Sequence, residues 1–124
     1  MATLTKTDLT FNAAVAKPAA QNFSASDKIT TSGMKIENLL IEIISGAEAG
    51  EKSLELTFKK GVGTNAVADK TFTVAPAASV LISGFEAARF VDADGNISVA
   101  AALSSAGAGG ALGDYNAYIY NTHP

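Results

Sequence analysis

Side chains of alternating polarity run through most of this chain, and short segments rich in glycine, asparagine, aspartate and proline separate the alternating runs. The segment Ser53–Lys59 is the clearest case, because Leu54, Leu56 and Phe58 fall on one side and polar residues on the other. Successive side chains of a β-strand point to opposite faces of its sheet, so this pattern predicts a strand with one buried and one wet face. Strands of this kind joined by tight turns predict an antiparallel β-sandwich or barrel.

Further segments extend the prediction. Thr71–Val74 and Ile97–Leu103 repeat the one-sided pattern, whereas Asn38–Ile44 is apolar on both sides and predicts a strand that is central or covered on both faces. With Tyr115–Tyr120 and shorter runs between these segments, we predict an all-β fold of about seven or eight strands with an extended N-terminal arm. The glycine-rich segment Ser104–Gly113 has little bulk and is predicted to be a flexible loop.

Two sets of side chains are candidates for contact with a partner. Tyr118 and Tyr120 fall on the outward side of the last predicted strand, where an aromatic pair favours an interface. The other set lies in residues 1–23, which are predicted as an N-terminal arm or first strand ahead of a sandwich domain in residues 24–124. We expect its apolar residues either to add a strand to another subunit or to form the first strand of their own sandwich. These residues are Leu4, Leu9, Phe11 and Val15.

Composition narrows the classes of partner. A length of 124 residues suits one domain, and zero cysteines remove disulfides and thiolate chemistry. The formal net charge is −3, with the nine basic residues scattered along the chain, so we expect no nucleic-acid partner. The most apolar run, 39–44, is far shorter than the roughly 20 residues that a bilayer helix needs, so we also expect no membrane partner. No signal peptide is predicted at the N-terminus.

Groups that perform catalysis are sparse. The single histidine, His123, lies one residue from the C-terminus, so a Ser-His-Asp triad or a multi-histidine metal site cannot be assembled. No serine falls in a nucleophile-elbow context. The sequence therefore predicts neither an enzyme nor a bound cofactor.

The segment Asp92–Asn96 has two interpretations. Its alternating carboxylates followed by Gly95 resemble the opening of a calcium loop, but the acidic residue needed at the twelfth position is replaced by Leu103. We favour a tight hairpin between Phe90 and Ile97, with positive φ at the turn and carboxylates that cap local amides.

Four segments taken in order resemble the small β-sandwich decoration, or cement, proteins on the capsids of tailed bacteriophages. They are Ser32–Ile41, Leu54–Phe58, Val74–Ile82 and Phe90–Val99, and the resemblance covers residues 32–100. It implies a viral structural protein on the outer surface of the virion, made in the host cytoplasm. It also implies a homo-oligomer, with a trimer favoured, that binds the major capsid protein and bridges capsid subunits.

Two other functions remain open at this point. A phage tail, fibre or surface-filament subunit would use its exposed strand edges and the surface at Tyr118 and Tyr120 to polymerise. A calcium- or carbohydrate-binding module would instead use the turn at Asp92–Asn96.

Overall fold

The computed structural model of the chain describes residues 2–10, 12–31, 33–62, 68–85 and 87–122. Within these ranges the chain forms nine strands and one helical turn, α1, at Ala87–Phe90. The strands are β1 Ala2–Leu4, β2 Thr7–Asp8, β3 Asp27–Ile29, β4 Leu39–Ser45, β5 Leu54–Phe58, β6 Lys70–Val74, β7 Ser79–Ile82, β8 Ile97–Leu103 and β9 Tyr115–Asn121. Short 3-10 turns at Ile36–Asn38 and Leu112–Asp114 lead into β4 and β9. No helix in the described part of the chain has the length and hydropathy to cross a bilayer.

The strands form two sheets. The five-stranded sheet has the order β1-β3-β8-β5-β6, and the four-stranded sheet has the order β2-β9-β4-β7. The prediction of an all-β sandwich is confirmed, with nine described strands instead of seven or eight. Most neighbours are antiparallel as expected, but β1 pairs with β3 and β2 pairs with β9 in parallel.

The core lies between the sheets and contains the side chains that the alternation assigned to it. Leu54, Leu56 and Phe58 on β5 are fully buried, and polar residues alternate with them. The Phe58 ring packs edge to face against Phe72 and Phe85, with centroids 5.6 Å and 5.1 Å apart. Edge-to-face packing of aromatic rings adds to the free energy gained by removing their apolar area from water. This core fixes which side chains of each strand point outward.

Strand β4 lies where its two apolar sides predict. It pairs with β9 on one side and β7 on the other, so it is central. Leu39, Ile41 and Ile43 are fully buried against the core, whereas the outward Leu40 and Ile44 are only half-buried. The outer side of the central strand is therefore apolar but incompletely covered.

Both lateral sides of the sandwich are crossed by the chain. Along one side, the segment 75–78 carries the chain from β6 in the five-stranded sheet to β7 in the four-stranded sheet. Along the opposite side, Thr5 and Lys6 carry it from β1 to β2. Residues 2–8 thus form an edge strand in each sheet and close one side of the sandwich.

The glycine-rich segment 104–113 is irregular, as expected, but its backbone is held against residues 50–53. Lys52 N donates to Gly109 O at 3.2 Å, and Ala108 N donates to Gly50 O at 3.1 Å. Gly107 has φ +85°, and a Cβ atom there would lie 2.8 Å from the carbonyl oxygen of Glu51. The absence of a side chain allows this close approach of two backbone segments. The segment predicted to be a flexible loop is therefore a loop held by backbone hydrogen bonds.

Candidate interaction surface

The outward side of the four-stranded sheet carries large apolar and aromatic side chains. Its register places Glu42 of β4 opposite Tyr118 of β9 and opposite Leu81 of β7, and places Leu40 opposite Tyr120. We call this surface the aromatic face; it consists of Leu40, Glu42, Ile44, Leu81, Tyr118 and Tyr120. Among the outward positions of β4, β7 and β9, Glu42 is the one charged residue. Leu81 is 66% exposed, and the other members are half-buried.

Part of the aromatic face is covered by the N-terminal segment. Lys17 Nζ lies 3.3 Å from Glu42 Oε1 and 4.1 Å from the centroid of the Tyr118 ring. The ammonium group thus neutralises Glu42 and makes a cation–π contact at the same time. Burial raises the pKa of the Tyr120 phenol, and the nearby Glu42 carboxylate raises it further. The surface is consequently neutral overall and has few free charges, like the central part of many protein interfaces.

The residues predicted to contact a partner are not equally available. Tyr118 and Tyr120 are on the aromatic face, and Val15 is 37% exposed. Leu9 is half-buried, and its N–H donates to Asn121 O at 2.9 Å. Phe11 lies outside the described residues.

Leu4, predicted either to contact a partner or to belong to a first strand of its own sandwich, is buried in this conformation of the chain. Its side chain is only 4% exposed and belongs to the hydrophobic core of its own sandwich. It enters the core because β1 pairs with β3 and brings Leu4 beside Ile29. The alternation of Thr3 and Leu4 is that of a short edge strand with one buried side chain.

Three members of the aromatic face escaped sequence reasoning: Leu40, Ile44 and Leu81. The apolar residues on both sides of the segment Asn38–Ile44 predict a strand that is central or covered on both faces, without indicating what covers it. Leu81 lies in an unbroken apolar run, 80–82, whose inward and outward members depend on pairing with β4. The sequence does contain a signal for this surface, because both sides of the predicted strand are apolar. Such a pattern also fits contact with another molecule.

Residues 2–9 attach to both sheets, and we call them the seam segment. The side-chain amide of Gln21 holds the point where the segment changes sheets: Thr5 N donates to Gln21 Oε1 at 3.0 Å, and Gln21 Nε2 donates to Thr5 O at 2.8 Å. Asn121 Nδ2 donates to Asp8 Oδ1 at 3.1 Å. This hydrogen bond lowers the pKa of the Asp8 carboxyl, and the Lys6 ammonium lowers it further.

The segment Asp92–Asn96 forms the predicted tight turn. Asp92 Oδ1 accepts hydrogen bonds from the backbone N–H of Asp94 at 2.9 Å and of Asn96 at 3.0 Å, and Gly95 has φ +81°. Lys28 Nζ lies 3.8 Å from Asp92 Oδ2 and 3.6 Å from Asp94 Oδ2. The ammonium group therefore competes for these carboxylates with any cation that would approach them.

Groups suited to metal binding are dispersed over the rest of the surface. In the described ranges, no three side chains among histidine, cysteine, aspartate and glutamate come close enough together to hold a metal ion. His123 lies outside those ranges. The aromatic face and the seam segment are the features that remain as candidates for function.

Comparison with known proteins gives no relative: no family model, no curated protein and no solved structure matches this chain.

Proposed function

We propose that this chain is a non-catalytic viral structural protein that decorates and stabilises the outer surface of a phage capsid by bridging capsid subunits. It acts as a homo-oligomer, with a trimer favoured, and its partner is the major capsid protein. The resemblance of residues 32–100 to phage decoration proteins supports this assignment, as does the sandwich fold. The net charge of −3 suits a position outside a shell filled with nucleic acid.

The aromatic face is the observation that carries the proposal. Tyrosine is enriched at protein interfaces because it combines apolar area with a hydroxyl group that hydrogen-bonds at the rim. On this surface Tyr118 and Tyr120 stand beside Leu40 and Leu81, and the charge of Glu42 is matched by that of Lys17. A neutral apolar surface of this kind fits an uncharged patch on a protein shell better than it fits a phosphate backbone or a polar ligand.

A decoration protein does not need a high affinity at each contact. Copies that touch several shell subunits gain from the effective concentration of linked contacts, so a small patch on each copy is sufficient. We assign the contact with the shell to the exposed end of the aromatic face around Leu81, where the chain leaves it uncovered.

Cosedimentation with assembled shells tests the proposal. We expect the full-length chain to pellet with shells, to saturate, and to leave free duplex DNA in the supernatant. Leu81→Arg, on edge strand β7, should weaken binding to shells by about 30-fold or more, whereas Thr73→Arg, at an exposed outward position of edge strand β6, should not. Failure of the full-length chain to pellet with shells would refute the assignment. Truncation is a poor test here, because residues 2–8 belong to both sheets.

The seam segment favours one other function, a self-polymerising tail, fibre or surface-filament subunit. Short edge strands are elements that neighbouring subunits can supply to one another. Electron microscopy of the purified chain alone separates the two functions. Filaments or extended rings at high concentration would favour the filament subunit, and separate particles of defined size would favour the decoration protein.

A further inference from the structure

The seam segment lies along the edges of both sheets, and residues 10–20 connect it to the rest of the sandwich. Its contacts are made with β3, β9 and Gln21, all of which follow it in the sequence. None of these contacts depends on the segment's own covalent connection. The same segment from a second copy of the chain can therefore make the same contacts along the same strand edges.

Without the seam segment, the molecule would expose part of its apolar core and two unpaired strand edges. Removal of Leu4 opens the core beside Ile29, and the edges of β3 and β9 lose their partners. Unpaired strand edges and a vacated apolar site favour pairing with another strand. An open copy thus presents a site that is complementary to the seam segment of its neighbour.

The connection to the seam segment is long enough to reach another copy. Within one chain, the connection joins two points beside β9. At one point Leu9 N donates to Asn121 O, and at the other Gln21 pairs with Ala117. These two positions are four residues apart on β9, a distance of about 13 Å. Residues 10–20 can span about 36 Å when extended, nearly three times this distance.

The connection is also weakly attached. Residues 12–20 form no backbone hydrogen bond with the other described parts of the chain, and apart from the half-buried Pro18 they are exposed. Lys17 ties them to the sandwich through Glu42 and Tyr118. Release of Lys17 and of the half-buried Pro18 would free these residues to change direction.

We propose that neighbouring copies of this chain exchange their seam segments, so that residues 2–9 of one copy complete both sheets of the next. Because exchange replaces each contact by an identical one, it proceeds at little cost once copies are crowded together. The exchange links copies to one another and does not rest on binding to a shell. It names the second copy of the chain, not a capsid subunit, as the partner of the N-terminal arm.

Cysteine cross-linking tests the exchange in a chain that has no cysteine of its own. Thr3 of β1 lies opposite Lys28 of β3 with both side chains outward, and neighbouring strands are about 4.8 Å apart, which suits a disulfide. Thr3→Cys is placed in one full-length chain and Lys28→Cys in another that carries a mass tag. The two are unfolded, mixed, refolded together at high concentration and oxidised.

A control pair of cysteine variants measures how much mixed disulfide forms by chance collision. Thr57 and Thr71 lie opposite each other on β5 and β6, with their hydroxyl oxygens 2.9 Å apart, and neither belongs to the seam segment. Thr57→Cys and Thr71→Cys in separate chains are treated in the same way. We expect the mixed disulfide of the seam pair to exceed that of the control pair by about tenfold or more, because docked residues have a high effective concentration.

The double variant Thr3→Cys/Lys28→Cys completes the design. At low concentration it should form an intrachain disulfide, and at high concentration an increasing fraction should become interchain disulfides within oligomers. Mixed disulfide no greater than that of the control pair would overturn the exchange. Absence of the disulfide in the double variant at every concentration would also overturn it, since the pairing of β1 with β3 would then be absent.

Discussion

The two outer surfaces of the sandwich are built by the same alternation but carry different side chains. The five-stranded sheet presents small and polar residues, and we call this surface the polar face; it consists of Glu55, Thr57, Thr71, Thr73, Ser98, Ala100 and Ala102. On it, the hydroxyl groups of Thr57 and Thr71 hydrogen-bond across two strands. The aromatic face presents leucine, isoleucine and tyrosine at the equivalent outward positions. Because outward positions do not contribute to the core, their composition indicates what each surface contacts.

The two surfaces also differ in the contacts that their outward side chains make within the chain. On the aromatic face, Lys17 from the N-terminal segment lies on Tyr118 and Glu42. On the polar face, the hydroxyl groups of Thr57 and Thr71 satisfy each other. Apolar area that is only partly covered by its own chain marks a surface that gains free energy from a partner.

The largest effect is expected from a charge placed on each surface. Leu81→Arg introduces an unpaired cation into a surface that is to be desolvated, so shell binding should weaken by about 2 kcal/mol or more, about 30-fold. Thr73→Arg on the polar face should leave binding unchanged. Both positions are exposed, so urea unfolding should show the stability of each variant within about 0.5 kcal/mol of the original. Equal loss of binding in the two variants would remove the distinction between the surfaces.

A smaller effect is expected from the lysine that covers the aromatic face. Lys17→Ala removes an ion pair and a cation–π contact together, so the free energy of unfolding should fall by about 1 kcal/mol. Lys59 is the matched control, because its Nζ lies 3.7 Å from Asp69 Oδ2 and both groups are about half exposed. Lys59→Ala should cost less than about 0.5 kcal/mol by the same measurement. A cost for Lys17→Ala no larger than that would show that Lys17 does not hold the segment down.

Acid should loosen the edge of the four-stranded sheet. The pKa of Asp8 is lower in the folded chain than its ordinary value of 3.8, because Asn121 and Lys6 favour the carboxylate. Its stabilising contribution is therefore present above that value and is lost as the pH falls through the lowered pKa. Asp8→Asn should lose less stability than the original chain between pH 7 and about pH 3, as measured by urea midpoints. An identical loss would show that the carboxylate does not contribute.

The smallest effect, none at all, is expected from calcium at the turn beside Lys28. A calcium site with a dissociation constant of about 0.1 mM would raise the Tm by several degrees at 1 mM calcium. The ion pairs of Lys28 with Asp92 and Asp94 lead us to expect an unchanged Tm. Lys28→Ala is the informative control, since it removes the competing ammonium group. A rise in the Tm of the original chain on addition of calcium would instead indicate a calcium site at this turn, which lies beside the five-stranded sheet.

The sequence predicted the parts of the fold that depend on local pattern. Strand β5 was recognised because bulky residues alternate strictly with polar ones from Leu54 to Phe58, and the turn at Asp92–Asn96 because glycine and carboxylates have specific roles in turns. Tyr118 and Tyr120 were placed on an outward surface for the same reason. In each case neighbouring residues carry all of the information.

The remaining parts depend on pairing between distant segments. Strands β1 and β2 have three and two residues, too few for an alternation to be recognised, and they are fixed by pairing with β3 and β9. The outward position of Leu81 follows from its register with Glu42. The position of Lys17 over Tyr118 depends on the path of the whole N-terminal segment. The prediction that residues 1–23 form an arm or a first strand left open the contribution of residues 2–8 to both sheets.

A reconstruction of an assembled phage shell that carries this chain would show directly which surface of the sandwich contacts the shell. We predict that the aromatic face, with Leu81 at its exposed end, lies against the major capsid protein, and that the polar face, with Thr57 and Thr73, points to solvent. Contact of the polar face with the shell would refute the role of the aromatic face, and absence of the chain from the shell surface would refute its role in decoration.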